Sequence, residues 1–366
     1  MADPEQLDVL LVSLGSTAGL RLADEQLCDA LRRAGACVRL ARARPPRPVR
    51  TMALTDLAWA RSARAAARGA LLEHGGPHRD GAGGRSHVSG GGRRPPTLIY
   101  SSTTAALLWP RPGAVRFDAC AGANRPGRHG LWQRPLERHR LAAATLLLPW
   151  SEAALEECPA AGANARSLVV PVAVAASGEP ARERDIAAVT YAANHLQKGL
   201  DRVLAAWRSV RASRQEPEAG GDELLVAGAD AGELRRAGIE PPGSEEGVRL
   251  LGALPPDRYR ALLRRARVFV CAPRREDYGI AQLEALADGC MLVSTPAPGP
   301  YVALAAARAV DPRLVGEDLA AGLRAALQEP LPGYGERAAR ALEPFGPAAL
   351  ARVVERELVP RLLRPR

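Results

Sequence analysis

Short apolar runs alternate along the chain with longer stretches whose apolar positions recur every third or fourth residue. This alternation predicts a parallel α/β architecture. Val9 to Leu14 reads as the first strand, and Gly15-Ser16-Thr17-Ala18-Gly19 as a small-residue turn. A helix is expected from about Ala23 to Arg33, with Leu27, Ala30 and Leu31 on one face; Gly35 stops it, and Val38-Arg39-Leu40 opens the next strand. A helix rich in Ala and Arg is expected over roughly Leu57 to Leu72. His74 to Pro96 is dominated by Gly, Arg, His and Pro, has no apolar period, and is predicted to be a mobile loop. Strands are then expected at Thr97 to Tyr100, Val115 to Asp118, Thr145 to Leu148 and Leu168 to Val170.

A Gly/Pro/charged linker, about Ala175 to Arg184, separates this half from a second that repeats the pattern. Its strands are expected at Ala187 to Tyr191, Glu223 to Ala227, Val248 to Leu251, Val268 to Ala272 and Met291 to Ser294. Its clearest helix runs from Leu200 to Val210, with Leu200, Val203, Leu204, Trp207 and Val210 at helical spacing, which makes Trp207 a core residue. A last amphipathic helix is expected from about Ala348 to Leu363. The domains are therefore read as 1–174, 185–345 and a C-terminal helix, 346–366, packing back on the first domain. Two doubly wound halves imply a cleft between them, with ligands at the carboxyl ends of the strands.

Composition sharpens one position. Ala, Gly, Arg and Pro are heavily used, as a GC-rich bacterial genome favours. Lys and Arg total 50, yet Lys198 is the single lysine. Where Arg serves for almost every positive charge, a retained Lys marks either a chance codon or a site needing a compact ammonium rather than a planar guanidinium. The net charge of +10 points to an anionic partner, such as nucleotide phosphates or acidic lipid headgroups. Nucleic acid is set aside: aromatics are 4% and no nucleic-acid-binding motif occurs. The basic run from Arg32 through Arg39, Arg42, Arg44 and Arg47 to Arg50 reads as a solvated surface.

None of Cys28, Cys37, Cys120, Cys158, Cys271 and Cys290 forms a C-x-x-C pair, so zinc and redox motifs are absent, and a reduced, cytoplasmic protein is expected. The acidic start, Met1 to Asp8, is wrong for a signal peptide, and the longest apolar run, Leu141 to Leu148, is far short of a membrane span. Peripheral contact with the inner membrane face stays open. His74, His78 and His87 lie in the loop segment, where no rigid element would fix a metal site.

Two turns carry candidate chemistry. Asn194-His195-Leu196-Gln197-Lys198-Gly199-Leu200-Asp201 follows a strand and opens a helix, placing free backbone N–H groups, helix-dipole charge and the sole lysine at one point suited to a diphosphate. An ordinary strand-to-helix turn with a capping Gly would look the same. Glu276-Asp277-Tyr278-Gly279-Ile280-Ala281-Gln282-Leu283-Glu284 follows a second strand into a second helix. Gly279 permits close approach of a phosphate, the Gly279 and Ile280 N–H groups are free at the helix start, and a helical carboxylate can accept both hydroxyls of a ribose. The plain alternative is a solvated acidic turn and an exposed helical Glu.

Glu276 to Glu284 resembles the E-x7-E element of retaining glycosyltransferases of the GT-B fold, family 4, also called group 1. The resemblance extends from Val248-Arg249-Leu250-Leu251-Gly252 to Tyr259, through Val268 to Pro273, and on into Glu284-Ala285-Leu286-Ala287-Asp288-Gly289-Cys290-Met291-Leu292-Val293, with Met291 where proline is usual. Lys198-Gly199 matches the family's lysine-glycine motif. The resemblance implies two Rossmann-like domains facing across a cleft. It implies that Glu276 contacts the donor sugar hydroxyls, Glu284 binds the ribose, and Lys198 neutralises the leaving diphosphate with help from the Gly279 and Ile280 amides. Gly15 would face the diphosphate from the acceptor domain.

Two positions depart from the family. Ala193 stands where an Arg usually precedes the lysine, with His195, Asn194, Arg274 or Arg275 as substitutes and His195 preferred. Phe117 stands where a histidine near the reacting sugar is common, leaving Asp118 as the nearest polar group; a strand-end Asp that caps a turn is the alternative. Arg125-Pro126-Gly127-Arg128-His129-Gly130 reads as an anion grip or a solvated loop.

The reading is thus a hexosyltransferase-like enzyme. It would move a sugar from a nucleoside-diphosphate-sugar to a saccharide, lipid-linked or small-molecule hydroxyl. Configuration would be retained, with no cofactor and no metal, in keeping with the lack of an Asp-x-Asp motif. The alternatives are a degenerate relative that binds a nucleotide-sugar or a partner without turnover, and a GT-B-like epimerase.

Overall fold

The computed structural model describes residues 7–47, 49, 51–75, 95–125, 127–160, 162–213 and 223–363. It divides into two compact units, one of Met1–Val172 with Leu350–Arg366 and one of Ala173–Ala349.

The first unit is built on a five-stranded sheet of order β2-β1-β3-β4-β5. The strands are β1 (Val9–Ser13), β2 (Val38–Arg42), β3 (Thr97–Tyr100), β4 (Ala114–Phe117) and β5 (Leu146–Pro149). All pairings are parallel, with Val9 opposite both Val38 and Thr97. Parallel strands covered on both faces need continuous apolar runs; β1, β4 and β5 are buried at every position, whereas the edge strand β2 exposes Arg39 and Arg42. The helix Met52–Gly75 lays Ala60, Ala63 and Ala67 on the core, small side chains that let it approach the sheet closely.

Several boundaries differ from the sequence reading. The first helix starts at Ala18, because the Thr17 hydroxyl caps the Leu20 N–H at 3.2 Å and outweighs the poor helix propensity of Gly19. The second helix extends to Met52–Gly75, so His74 lies in its last turn rather than in a loop. The remainder of the expected loop, 76–94, lies outside the described residues. Leu168 to Val170 is not a regular strand. It runs beside β5 through Leu168 N to Leu147 O and Val170 N to Pro149 O, both 2.9 Å, where β5 itself ends. The final helical run, Pro347–Leu363 with a π segment at Val354–Leu358, belongs from Leu350 onward to the first unit. Thr97 Oγ1 donates to Leu362 O at 3.1 Å, and Arg361 Nη1 to Ser167 O at 2.9 Å.

The second unit has a five-stranded parallel sheet of order β10-β9-β6-β7-β8. Its strands are β6 (Ile186–Tyr191), β7 (Leu224–Ala227), β8 (Val248–Gly252), β9 (Ala266–Cys271) and β10 (Met291–Ser294). From β6 the chain winds outward through β7 and β8, then returns to the other side of β6 with β9 and β10. The order therefore reverses between β6 and β9, which makes the carboxyl edge of that pair the topological switch point where ligands bind in such sheets. In the first unit the corresponding point lies between β1 and β3. Among the described residues no helix is long and apolar enough to cross a membrane.

Candidate active site

Both motif-bearing turns of the second unit leave the sheet at its switch point. The turn after β6 folds on itself through Lys198 N to Asn194 O at 2.8 Å, Gly199 N to Leu196 O at 3.1 Å and Leu200 N to His195 O at 3.0 Å. Gly199 has φ +66°, and a Cβ there would lie 1.8 Å from Ala272 O, so only glycine lets this turn press against the end of β9. The helix Leu200–Ala212 then buries Leu200, Val203, Leu204, Trp207 and Val210. Trp207 is core, and its Nε1 donates to Glu246 O at 3.0 Å.

The turn after β9 is bound directly to the first turn. Arg274 N donates to Gln197 O at 2.9 Å and Gln197 Nε2 to Arg275 O at 3.3 Å. The Arg274 guanidinium forks onto Asp201 at 2.9 and 2.7 Å and reaches Leu196 O at 2.6 Å. These bonds carry Lys198 to Glu276: Nζ lies 2.6 Å from Oε2, with the two side chains 26% and 11% exposed. Gln282 Nε2 donates to the same oxygen at 3.0 Å. The Glu276 backbone is held on both sides, its N–H by Pro298 O at 3.0 Å and its carbonyl by Tyr301 N at 3.2 Å. Gly299, at φ +107°, keeps that carbonyl accessible, since a Cβ there would lie 2.4 Å from it.

Beneath this pair runs a buried polar chain. The Tyr301 hydroxyl meets Ser294 Oγ at 2.7 Å, Cys271 Sγ at 3.5 Å and Gln282 Nε2 at 3.5 Å. Tyr301 is the only non-glycine at positive φ (28°) among the described residues, a conformation retained when surrounding contacts over-determine it. Gly279, at φ +89°, opens the helix Ile280–Ala287; a Cβ there would sit 2.7 Å from the Ala303 Cβ. The Gly279 and Ile280 amides stand at the start of that helix, near the Lys198–Glu276 pair, in the arrangement that receives anions.

Glu284 is not the exposed helical residue of the plain alternative. Its side chain is 15% exposed and faces Arg260 Nη1 at 3.4 Å. Burial raises its pKa above the ordinary carboxylate range, and Arg260 works against that rise. Burial also raises the pKa of the adjacent Tyr259 hydroxyl, and the Tyr259 ring packs 5.4 Å from that of Tyr191 at the end of β6.

The structure thus brings Lys198 and Glu276 together beside the turn that holds Gly279 and Ile280, with Glu284 about one turn along the helix that Ile280 opens. His195 shares the Lys198 turn, half-buried, with Nδ1 free of hydrogen bonds. Of the other substitutes for the missing Arg at Ala193, Arg274 is engaged by Asp201 and Arg275 pairs with Asp277 at 2.7 Å. Asn194 Oδ1 accepts from Gln197 N at 3.4 Å.

Gly15 and Asp118 belong to the first unit. Gly15 has φ +58° and its carbonyl accepts from Arg21 Nη1 at 2.8 Å. Asp118 Oδ1 accepts from Ala119 N at 2.9 Å, the turn-capping geometry, while Phe117 is buried. Arg125 forks onto Asp56 at 2.8 and 3.2 Å, so that part of the basic loop is tied to a carboxylate. Sequence reasoning missed Gln282, Tyr301 and Arg260. A cavity of about 1160 Å³ in the first unit lies at the amino ends of β3, β4 and β5, beside Thr97, Gly113 and Thr145. That is the edge opposite the one where ligands bind in such sheets.

Residues 184–329, within the second unit, match the family model described as "Glycosyl transferases group 1". The second unit is therefore similar in sequence to the group 1 glycosyltransferases. Over 114 residues the chain is 32% identical to a GDP-mannose:cellobiosyl-diphosphopolyprenol alpha-mannosyltransferase of Xanthomonas oryzae pv. oryzae, a match that spans 30% of this chain and 28% of that relative.

Solved structures match over nearly the whole length. Sucrose-phosphate synthase from Thermosynechococcus elongatus has TM-score 0.68 and 15% identity over 98% of this chain and 99% of that one. WaaG, a glycosyltransferase involved in lipopolysaccharide biosynthesis, has TM-score 0.63 and 17% identity over 94% and 99%. Anabaena HepE, solved in complex with UDP and glucose, has TM-score 0.62 and 10% identity over 97% and 100%. The fold is that of the GT-B glycosyltransferases, two parallel-sheet α/β domains in one chain.

Proposed function

We propose that the protein is a retaining glycosyltransferase that moves a sugar from a nucleoside-diphosphate-sugar to an acceptor hydroxyl without a metal ion. The observation that carries this is the Lys198–Glu276 pair, 2.6 Å apart at the switch point of the second sheet. It sets a cation for a diphosphate beside a carboxylate for sugar hydroxyls. Donor entry would let Lys198 Nζ turn from Glu276 to a phosphate oxygen, while Gln282 Nε2, 3.0 Å from Glu276, keeps the carboxylate in place.

As the bond from the anomeric carbon to the phosphate oxygen breaks, negative charge grows on the diphosphate. Lys198 and the Gly279 and Ile280 amides stabilise it there, a role a metal fills elsewhere. The acceptor oxygen attacks the same face of the sugar, and its proton passes to the departing phosphate oxygen. This route asks for no strong side-chain base. Glu284 takes the ribose hydroxyls, and His195 stands in for the missing cation at Ala193. Gly15 and Asp118 are the first-unit residues of this reading. The relative that acts on a diphosphopolyprenol substrate and the HepE complex with UDP and glucose support a nucleotide-sugar donor and a saccharide or lipid-linked acceptor. A cytoplasmic site of action, with contact at the inner membrane face, fits such an acceptor.

The test is a panel of UDP- and GDP-sugars scored first by thermal shift, then by transfer to saccharide and polyprenyl-linked acceptors, with and without chelator. The expected result is binding of one nucleotide series and transfer with an unchanged anomeric configuration in chelator. Turnover that vanished in chelator and returned with magnesium or manganese would overturn the metal-free reading. A second reading, a nucleotide-sugar binder without turnover, is favoured by Ala193 and Phe117; donor binding with no transfer or donor hydrolysis across the panel would establish it.

A further inference from the structure

We propose that Arg260 is a positioning residue of the donor site, holding Glu284 ionised and aimed so that its carboxylate can take the ribose hydroxyls. The inference rests on the reading of Glu284 as the ribose ligand and deepens it.

Arg260 lies on the helix Pro256–Arg265, away from both motif turns, with a side chain only 16% exposed. It forks onto Asp288 through Nε at 2.6 Å and Nη2 at 3.0 Å, and Nη2 also donates to Ala175 O at 2.7 Å. Asp288 is fully buried and takes two more donors, Ser177 N at 2.7 Å and Ser177 Oγ at 3.0 Å. The guanidinium is therefore fixed on one edge by a saturated carboxylate, which leaves Nη1 pointing at Glu284 Oε1 across 3.4 Å.

That contact is long for a charged pair. It orients Glu284 without filling it, and among the described residues no other hydrogen bond reaches this carboxylate. A carboxylate offers about four acceptor sites, so room for two hydroxyl donors remains. The arrangement also answers a problem in the sequence. Glu284 and Asp288 are four residues apart on one helical face, where like charges repel, and both are largely buried. Arg260 lies between them and cancels one charge, so the remaining negative charge stays at Glu284, where a ligand can use it.

Among the described residues, the titratable and charged groups that act on Glu284 are Arg260 and Tyr259 from the helix Pro256–Arg265 and Asp288 from the end of its own helix. Burial pushes Glu284 toward its neutral form, Arg260 opposes this most, and Asp288 adds to the push. Without Arg260 the carboxylate would protonate at higher pH, and charge-assisted acceptance of ribose hydroxyls would fail earlier on acidification.

The experiment measures the affinity of UDP and GDP calorimetrically from the acidic to the alkaline side of neutrality for the wild type, Glu284→Gln, Arg260→Gln and Arg260→Lys. Arg260→Gln is expected to weaken the preferred nucleotide about tenfold near neutral pH, the size of one lost charged hydrogen bond. The deficit should grow on acidification and close at alkaline pH, where Glu284 ionises unaided. Arg260→Lys should recover most of the affinity. A deficit independent of pH, with no rescue by Lys, would make Arg260 a packing residue and overturn the proposal, as would wild-type binding by Arg260→Gln. If Arg260→Gln does not fold, Arg260→Gln/Asp288→Asn, which removes the uncompensated Asp288 charge, carries the same comparison, with a smaller shift in the same direction. If the wild type binds neither nucleotide, or Glu284→Gln binds as well as wild type, the ribose reading itself fails and takes this inference with it.

Discussion

The two sheets reverse their strand order at equivalent places and treat those places in opposite ways. Between β1 and β3 of the first unit the switch point is filled. Asp24 is buried and accepts from Ser13 Oγ and from the Ser101 side chain. Arg116, also fully buried, sits 3.8 Å from Asp24, donates to Ala23 O at 2.9 Å and lies 5.0 Å over the Trp150 ring. Between β6 and β9 of the second unit the charged pair is instead accessible, at 26% for Lys198 and 11% for Glu276, on turns shaped by Gly199, Gly279 and Gly299. One switch point uses its ion pair to pack the fold; the other holds a pair that a ligand can reach. The topology marks where a ligand can bind, and the side chains decide whether it does.

The first way to break this comparison is Arg116→Met. If the first-unit pair is purely structural, losing the cation strands Asp24 in the core and should destabilise the protein by about 3–5 kcal/mol. Burial already raises the Asp24 pKa, chiefly against the opposing pull of Arg116. In the variant that pKa rises further, so the destabilisation should be full above it and shrink as pH falls and Asp24 becomes neutral. Chemical denaturation of Arg116→Met and of Asp24→Asn/Arg116→Met, which should lose much less, checks this. Nucleotide affinity should stay at the wild-type value in any variant that folds; a specific loss of affinity would show that the filled switch point also serves the ligand.

The matching test in the second unit is Lys198→Arg. The remaining cationic side chains of the chain are arginines, so a surface lysine would tolerate the change. If the ammonium follows charge onto the leaving diphosphate, the planar fork should misplace it and turnover should fall about a hundredfold or more, near 3 kcal/mol. The melting temperature should barely move, because arginine keeps a positive charge opposite Glu276. Wild-type turnover in the folded variant would remove the main support for the donor site.

These contrasts were unequally legible in the sequence. Strands β3 and β10, Thr97–Tyr100 and Met291–Ser294, matched their apolar runs to the residue, because a run buried on both faces has sharp ends. The Lys198 and Gly279 turns could be placed because each joins such a run to a helical period. Helix starts were less legible: the start at Ala18 depended on one hydroxyl of Thr17, whose competitor was the unfavourable Gly19. Arg116 was placed inside the expected strand Val115 to Asp118 but was not singled out. The signal that could have found it is its place between Val115 and Phe117 in a strand with no exposed position. Arg260 was invisible for a stronger reason, since its partners Glu284, Asp288 and Ala175 are far from it in sequence and only the packing of helices unites them.

The glycines sharpen the comparison at smaller scale. Gly199 and Gly15 both have positive φ after a switch-point strand, +66° and +58°. A Cβ at Gly199 would lie 1.8 Å from Ala272 O, whereas at Gly15 its nearest neighbour is Arg21 Cγ at 3.3 Å, part of a flexible side chain. Gly199→Ala should therefore cost the left-handed penalty of about 1–2 kcal/mol plus a backbone displacement that moves Lys198, lowering both the melting temperature and nucleotide affinity. Gly15→Ala should cost about the left-handed penalty alone, with a smaller loss of nucleotide affinity than Gly199→Ala. Equal effects on affinity would erase the asymmetry between the two turns.

The smallest effect is expected at Asp118. Its carboxylate caps its own turn through Ala119 N at 2.9 Å, and it follows the buried Phe117. Asn at this position keeps an oxygen for the same bond and removes only the charge, so stability should stay within about 0.5 kcal/mol. Same-face transfer needs no strong base, so turnover should fall less than about tenfold, well under the hundredfold or more that follows loss of a general base. The measurement is kcat for transfer beside donor affinity, both in Asp118→Asn. A drop of a hundredfold in kcat with donor affinity intact would give the first unit a charged catalytic group at the end of β4. The contrast drawn between a structural and a functional sheet edge would then have to be abandoned for that strand.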